Sequence, residues 1–205
     1  MFQELQHPLI QQELAQLRQA NCPPHTFRAC VRRIGALMTP YLCQDLSTTP
    51  VTVQTPLEQA QGRTLARPIM LVPILRAGLG FLDGFLDMIP QACVAHIGLK
   101  RDEQTLLPKT YYSNLPDNSA EHDVILLDPM LATGGSAVEA VRQLKSVGVK
   151  SIRFACLVAA PEGVATFTAA CPDVPVYAAA LDRCLNEQGY ILPGLGDAGD
   201  RLFGT

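Results

Sequence analysis

Tryptophan is absent from the 205 residues, aromatics make up 6% and charged residues 17%. With a formal net charge of −3, the chain has no basic footprint for non-specific nucleic-acid binding. No Cys-x-x-Cys pair occurs among Cys22, Cys30, Cys43, Cys93, Cys156, Cys171 and Cys184. Scattered single cysteines, odd in number, read as small apolar side chains in a reducing compartment, which predicts a cytoplasmic protein without a structural zinc site. No apolar run reaches the ~20 residues that span a bilayer. The start, Met1-Phe2-Gln3-Glu4, lacks the basic and hydrophobic regions of a secretory leader, so no membrane association is expected. Two phosphate-loop signatures are also missing. Without Gly-x-x-x-x-Gly-Lys-Ser/Thr there is no Walker cradle, and without Gly-x-Gly-x-x-Gly after a strand there is no dinucleotide fingerprint. What the chain does hold is apolar material, 48% of it, enough for one core. With no repeat or linker, residues 1–205 are expected to form a single domain.

The stretch that organises the rest is Val124-Ile125-Leu126-Leu127-Asp128-Pro129-Met130-Leu131-Ala132-Thr133-Gly134-Gly135-Ser136. Its opening four residues are continuously apolar, as in a strand buried on both faces of a parallel sheet. From Ala137 the spacing of Val138, Val141 and Leu144 predicts a helix. Strand, loop and helix N-terminus together favour an anion: adjacent glycines expose backbone N–H groups, the helix dipole adds to them, and Thr133 and Ser136 contribute hydroxyls. Read alone, Thr-Gly-Gly-Ser is also an ordinary turn. Asp128 at the strand end tips the reading, because a carboxylate there reaches the vicinal hydroxyls of a ribose whose 5′-phosphate sits on Thr133 to Ser136.

Along the chain, Pro8 opens a helix carrying Leu9, Ile10, Leu14 and Leu17, and Pro23-Pro24 breaks it. A second helix is expected from about Thr26, ending or kinking at Thr39-Pro40; residues 1–47 form an N-terminal helical element. Val51-Thr52-Val53 predicts an edge strand, and Leu57 to Arg67 a short helix and turn. Apolar strands follow at Ile69–Leu75, Val94–Leu99, Ile152–Ala159 and Val174–Ala179, with helices after the first and third, the latter opening on Pro161. Residues 99–119 read as a flexible arm, with Thr110 to Ser113 pairing back. The tail, residues 186–205, is rich in glycine. Alternating strands and helices mean an α/β fold around a parallel sheet, Rossmann-like, with ligands beyond the carboxyl ends of its strands. Three polar loops converge there: Arg76 to Gly80, Lys100 to Thr105 and Asp128 to Ser136.

Arg76, flanked by Ala77, Gly78 and Gly80, suits bidentate binding of phosphate oxygens; a capping or surface arginine is the alternative. Arg101 lies in a charged run that read alone is a solvated face. Taken together they surround a second anion, apart from the one at Thr133 to Ser136. Two phosphate subsites with a ribose-binding Asp128 between them describe a phosphorylated sugar with an anomeric pyrophosphate.

Val72-Pro73-Ile74-Leu75-Arg76-Ala77-Gly78-Leu79-Gly80, Asp128 to Ser136, and Asn186-Glu187-Gln188-Gly189-Tyr190-Ile191-Leu192-Pro193-Gly194-Leu195-Gly196-Asp197-Ala198-Gly199-Asp200 together resemble a uracil phosphoribosyltransferase over nearly the whole chain. The second motif is similar to that of the type I phosphoribosyltransferase superfamily. Pro129, where many relatives carry a second acid, points to the uracil branch, and the third motif resembles that branch's base-binding segment. The resemblance implies that phosphoribosyl pyrophosphate (PRPP) and uracil give UMP and pyrophosphate with Mg²⁺, the metal held mainly by PRPP oxygens and water and by no dedicated protein ligands. It implies that Arg76 and Arg101 bind the pyrophosphate end. Asp128, Pro129, Met130, Leu131, Ala132, Thr133, Gly134, Gly135 and Ser136 would hold ribose and 5′-phosphate. Ile191, Gly196, Asp197 and Ala198 would hold uracil, with Asp197 also facing PRPP and its metal. Asp128, Arg76 and Asp197 are the catalytic candidates. A homodimer or homotetramer and activation by GTP follow from the same likeness. Lys100 and Asp102 beside Arg101 depart from the expected aromatic and asparagine.

The tail also makes chemical sense. Uracil offers an acceptor–donor–acceptor edge, which backbone N–H and C=O groups of a glycine-rich loop can answer. Cytosine reverses the polarity and leaves buried groups unpaired. Tyr190, Ile191, Leu195 and Phe203 look like the anchors of that loop. None of His7, His25, His96 and His122 falls in a motif, so no histidine nucleophile is expected; the predicted mechanism is a dissociative displacement with oxocarbenium character, run by placement and electrostatics. Transfer to a purine or orotate, and a non-catalytic RNA-binding regulator, are the rival readings.

Overall fold

A computed structural model describes residues 1–101 and 108–205, with Arg101 and Pro108 described by their backbone alone. In chain order the elements are β1 (Phe2–Glu4), α1 (Pro8–Leu17), α2 (Pro24–Cys43), β2 (Thr48–Gln54), β3 (Gln59–Leu65), β4 (Ile69–Leu75), α3 (Gly78–Met88), β5 (Cys93–Val94), β6 (Ile97–Arg101) and β7 (Pro108–Ser113). They continue with β8 (Asp123–Leu127), β9 (Met130–Leu131), α4 (Gly135–Ser146), β10 (Ser151–Ala159), α5 (Pro161–Ala170), β11 (Val176–Leu181), β12 (Cys184–Leu185), β13 (Ile191–Leu192) and α6 (Ala198–Phe203).

The main sheet runs β1-β11-β10-β8-β4-β6-β7, with β5 also on β4 and β9 on β10. Every pairing is parallel except β6 with β7. Alternation sorts each strand between two layers. Ile69, Leu71, Ile125, Leu127, Ala155 and Leu157 face one core with Ile34 and Met38 of α2 and Phe81 and Phe85 of α3. Met70, Val72, Val124, Leu126, Phe154 and Cys156 face the other, with Ala140, Val141 and Leu144 of α4 and Phe167 of α5.

This two-sided burial also places the site. From β4 the chain crosses by α3, on the first face, toward β6; from β8 it crosses by α4, on the opposite face, toward β10. The direction of winding reverses between the neighbouring strands β4 and β8, so a crevice opens at their carboxyl ends. Leu75-Arg76 and Leu127-Asp128 stand at its rim.

Three expectations need correction. Residues 59–65 form a strand: β3 pairs with β2 over Thr48↔Leu65 to Gln54↔Gln59, around a turn in which Thr55 Oγ1 accepts from the Leu57 and Glu58 N–H groups. The polar stretch has no apolar helical face to bury, whereas the hairpin satisfies its backbone locally. Val51 and Val53 lie on an edge strand as expected, in this separate two-stranded sheet. Helix α2 begins at Pro24 and runs through Pro40 to Cys43. Pro40 removes one hydrogen bond close to the helix end, and the buried Met38 and Leu42 outweigh it. The strand expected over 94–99 is divided into β5 and β6, both on β4. In the expected arm, residues 108–113 pair antiparallel with β6; residues 102–107 lie outside the described residues. No helix of the described residues is long and apolar enough to cross a membrane.

Candidate active site

Asp128 follows the last residue of β8, and its own N–H still donates to Ala155 O of β10 at 3.2 Å. Pro129 O then accepts from Leu157 and Val158 N–H, and Leu131 O accepts from Ala160 N–H at 2.9 Å. The loop is thus an extension of the sheet, which fixes where its side chains go. Pro129 is buried in that extension and lines neither cavity described below. Gly134 caps α4 with φ +86°, and a Cβ there would lie 2.9 Å from Gly163 O, so the tight entry to the helix requires glycine. No side chain caps the first turn of α4, which leaves its N–H groups available to an anion. A cavity of about 150 Å³ opens there, lined by Asp128, Met130, Leu131, Ala132, Thr133, Gly134, Ser136 and Ala137.

A second cavity, about 240 Å³, adjoins it and is lined by Ala77, Asp128, Met130, Ala132, Gly189, Tyr190, Ile191, Gly196, Asp197, Ala198 and Gly199. Asp128, Met130 and Ala132 belong to both. All four residues expected around uracil, Ile191, Gly196, Asp197 and Ala198, lie here with the acid expected at the ribose. Burial pushes the Asp128 carboxyl up to about 7, against a small opposing effect of the Met130 N–H that donates to it at 3.3 Å. Beside a cavity, a carboxyl so displaced is a functional candidate.

The tail reaches the cavity as a compact structure. Asn186 Oδ1 accepts from Gln188 and Tyr190 N–H, closing the turn that joins the two strands of the short β12–β13 hairpin. Asp197 caps α6, accepting from Asp200 N–H at 2.9 Å. Of the expected anchors, Ile191 and Leu195 are buried, whereas Tyr190 and Phe203 are 50% and 42% exposed. Leu202, fully buried against α3 at Gly80, is the anchor that pattern reading misses. Phe203 instead underlies Arg76, whose guanidinium lies 5.7 Å from its ring centroid. Arg76 also pairs with Asp200 Oδ1 at 3.3 Å. It stands at the rim, 3.7 Å from where a Cβ on Gly199 would project, and lines neither cavity. The Arg101 side chain lies outside the described residues. Ala77, Gly189, Tyr190 and Gly199 join the cavity unforeseen as individual residues; their adjacency to the motifs was the available signal.

Comparison with known proteins assigns the family. A family model described as uracil phosphoribosyltransferase matches residues 4–205. The chain belongs to the uracil phosphoribosyltransferase family. It is 54% identical to the uracil phosphoribosyltransferase of Ligilactobacillus salivarius, over 100% of this chain and 98% of the relative. It is 50% identical to that of Enterococcus faecalis over the same shares. Among solved structures, a protein of Aquifex aeolicus superposes with a TM-score of 0.94 at 36% identity, covering 100% of this chain and 99% of the other. A hypoxanthine-guanine phosphoribosyltransferase of Bacillus anthracis, at 12% identity, shares the fold with a TM-score of 0.53 over 78% and 80% of the two chains. As a uracil phosphoribosyltransferase the protein is a pentosyl-transferring enzyme of pyrimidine salvage, making UMP from uracil and PRPP.

Proposed function

We propose that the larger cavity takes uracil and the smaller one the 5′-phosphate, with Asp128 on the ribose hydroxyls between them. The single observation that carries this reading is the sharing of Asp128 by both cavities: a ribosyl group is the piece that must touch both a phosphate and a base. The α4 N-terminus, with Thr133 and Ser136, binds the phosphate. Ile191, Gly196 and Ala198 hold the base, and Arg76 and Arg101 receive the pyrophosphate. The breaking bond joins the anomeric carbon to pyrophosphate and the forming bond joins it to uracil N1, so positive character develops on the ribose. The ionised Asp128 carboxylate beside the ribose then favours the transition state over the ground state.

Asp197 lines the cavity, with one carboxylate oxygen accepting from Asp200 N–H, and no cluster of three metal-binding side chains occurs among the described residues. That donor set fits Mg²⁺ carried mostly by phosphate oxygens and water, with Asp197 beside it. When bound with PRPP, Mg²⁺ supplies charge neutralisation on the leaving pyrophosphate. Activation by GTP and assembly as a homodimer or homotetramer are carried over from the resemblance, and seven unpaired cysteines support a cytoplasmic setting.

The test is UMP formation from uracil, PRPP and Mg²⁺, with and without GTP, against cytosine and hypoxanthine as alternative bases. Turnover of uracil alone is expected. Comparable turnover of hypoxanthine would sink the assignment of the base cavity.

A further inference from the structure

Four hydrogen bonds close a ring around Gly194, inside the segment assigned to the base. Arg18, just past the end of α1, donates to both oxygens of Asp182, Nη1 to Oδ2 at 2.8 Å and Nη2 to Oδ1 at 2.7 Å. The same Nη1 donates to Gly194 O at 2.8 Å. The Gly194 N–H in turn donates to Asp182 Oδ2 at 2.8 Å. Asp182 is 8% exposed, so these donors take the place of water around its oxygens, and losing one leaves a buried acceptor unpaired. Neither Arg18 nor Asp182 lines the base cavity.

The bonds fall where rotation would otherwise be free. Gly194 has φ +61°, and a Cβ on it would lie 2.1 Å from Ile191 O, so only glycine fits and glycine alone has little stiffness. Fixing its N–H sets the plane of the Pro193–Gly194 peptide, and fixing its C=O sets the Gly194–Leu195 peptide. The next carbonyl is held as well. Arg201 Nη1 donates to Leu195 O at 2.8 Å while its Nη2 donates to Gln19 O at 2.6 Å. Arg18 directly, and Gln19 through Arg201, therefore brace two successive residues of the loop, Gly194 and Leu195, directly before Gly196, Asp197 and Ala198 in the cavity wall. A ring of charged groups on main-chain atoms orients peptides, which packing alone does not do.

We propose that Arg18 and Asp182 are positioning residues for the base. They hold the Gly194 peptides so that the backbone around Ile191 and Gly196 to Ala198 offers uracil a fixed donor and acceptor pattern, and the stiffness of that hold sets discrimination against cytosine. The inference rests on the reading of the larger cavity as the base site.

The experiment compares Arg18→Lys, which keeps the charge but loses the fork, and Asp182→Asn with wild type and Ala198→Val. Each is assayed with uracil and PRPP varied in turn, with cytosine as competitor base, and by thermal melting. Arg18→Lys and Asp182→Asn are expected to raise KM for uracil about tenfold and lower the uracil-to-cytosine ratio of kcat/KM by about the same factor. KM for PRPP stays within about twofold. A lower melting temperature with KM for uracil unchanged makes the ring a structural staple and overturns the proposal. Should Asp182→Asn not fold, Arg18→Lys decides. Ala198→Val separates the two layers of inference by narrowing the cavity itself. If it leaves KM for uracil unmoved, the base-site reading fails and takes the proposal with it. If it raises KM for uracil while the other two variants do not, the ring proposal alone fails.

Discussion

The phosphate loop and the tail face each other across one cavity, yet they are held by different means. Residues 128–131 continue the sheet, with Pro129 O and Leu131 O taking up N–H groups of β10 and the residue after it. The tail has no such ladder beyond β12–β13. Its position depends on side chains reaching backbone from far away in the sequence: Arg18 to Gly194, Arg201 to Gln19 O, and Arg28 to Leu202 O at 2.7 Å, with sequence separations of 176, 182 and 174 residues. Backbone ladders open only with the sheet, whereas side-chain braces let go one at a time. On the proposed assignment, the side that holds a charged group during bond breaking is built on the core, and the side that admits and releases a neutral base is built on removable braces.

The sharpest way to break this comparison is at the pyrophosphate end of the rigid side. Arg76→Ala is expected to lower kcat/KM for PRPP by about a hundredfold to a thousandfold, the usual cost of losing a charge-assisted donor to a transition-state anion. KM for uracil should move far less. Near-normal kcat/KM for PRPP would remove Arg76 from the site.

The next effect belongs to Asp128. Its carboxyl titrates at about 7 in the folded free enzyme, above the value of about 3.9 for an unperturbed aspartate. In the proposed mechanism the working form is the anion, so kcat/KM for PRPP should rise about tenfold per pH unit below that value and level off above it, a limb that Asp128→Asn should abolish together with most of the activity. The stability dependence runs the other way. Between about pH 4 and the folded value the native state holds a proton that the unfolded chain has released, so wild-type stability falls as pH rises through this window. Melting curves of wild type and Asp128→Asn should therefore diverge toward neutral pH. An activity profile flat from pH 5.5 to 8, roughly the range over which such a group titrates, would contradict the assigned role.

On the braced side the expected effects are smaller. Arg201 lies over the Phe27 ring at 4.5 Å and donates to two carbonyls. Removing it as Arg201→Ala should cost about 2 kcal/mol in chemical denaturation and raise KM for uracil about fivefold. A change in KM for PRPP as large as that for uracil would show that the two sides are one cooperative unit after all.

The same contrast governs how much is legible in the sequence. Strands β4, β8 and β10 stand out because burial on both faces demands apolar residues along nearly their whole length, Arg153 in β10 and Asp123 at the start of β8 being the buried charged exceptions, and they place Arg76 and Asp128 at the crevice. Thr133-Gly134-Gly135-Ser136 reads as a phosphate loop because the interaction is local. In the tail, motif likeness identifies Ile191, Gly196, Asp197 and Ala198, but nothing near them in sequence announces Arg18 or Asp182. An isolated arginine at a helix end carries no periodic signal, and its partner is 164 residues away. Strand β3 escapes for a related reason, although Val51-Thr52-Val53 announces its partner: with both faces solvated its residues carry no hydrophobic alternation, and its pairing is fixed by the Thr55 turn.

The contact between the two sides is Arg76 with Asp200, and it offers the finest adjustment. The pair is exposed, 58% and 52% for the two side chains, and longer than an ideal ion pair at 3.3 Å. Such pairs contribute at most about 1 kcal/mol, which bounds any effect on affinity at about fivefold. Asp200 holds one guanidinium nitrogen while Phe203 keeps the guanidinium at the rim; with pyrophosphate on Arg76 as proposed, the acid would compete with substrate for that nitrogen. Asp200→Asn removes the competing charge and leaves the aromatic platform. It should lower KM for PRPP two- to threefold, roughly the midrange of that bound, with kcat unchanged and inhibition by free pyrophosphate strengthened in proportion. A rise in KM for PRPP would mean that Asp200 aims Arg76 and does not restrain it, and the tail would then belong to the rigid half of the site.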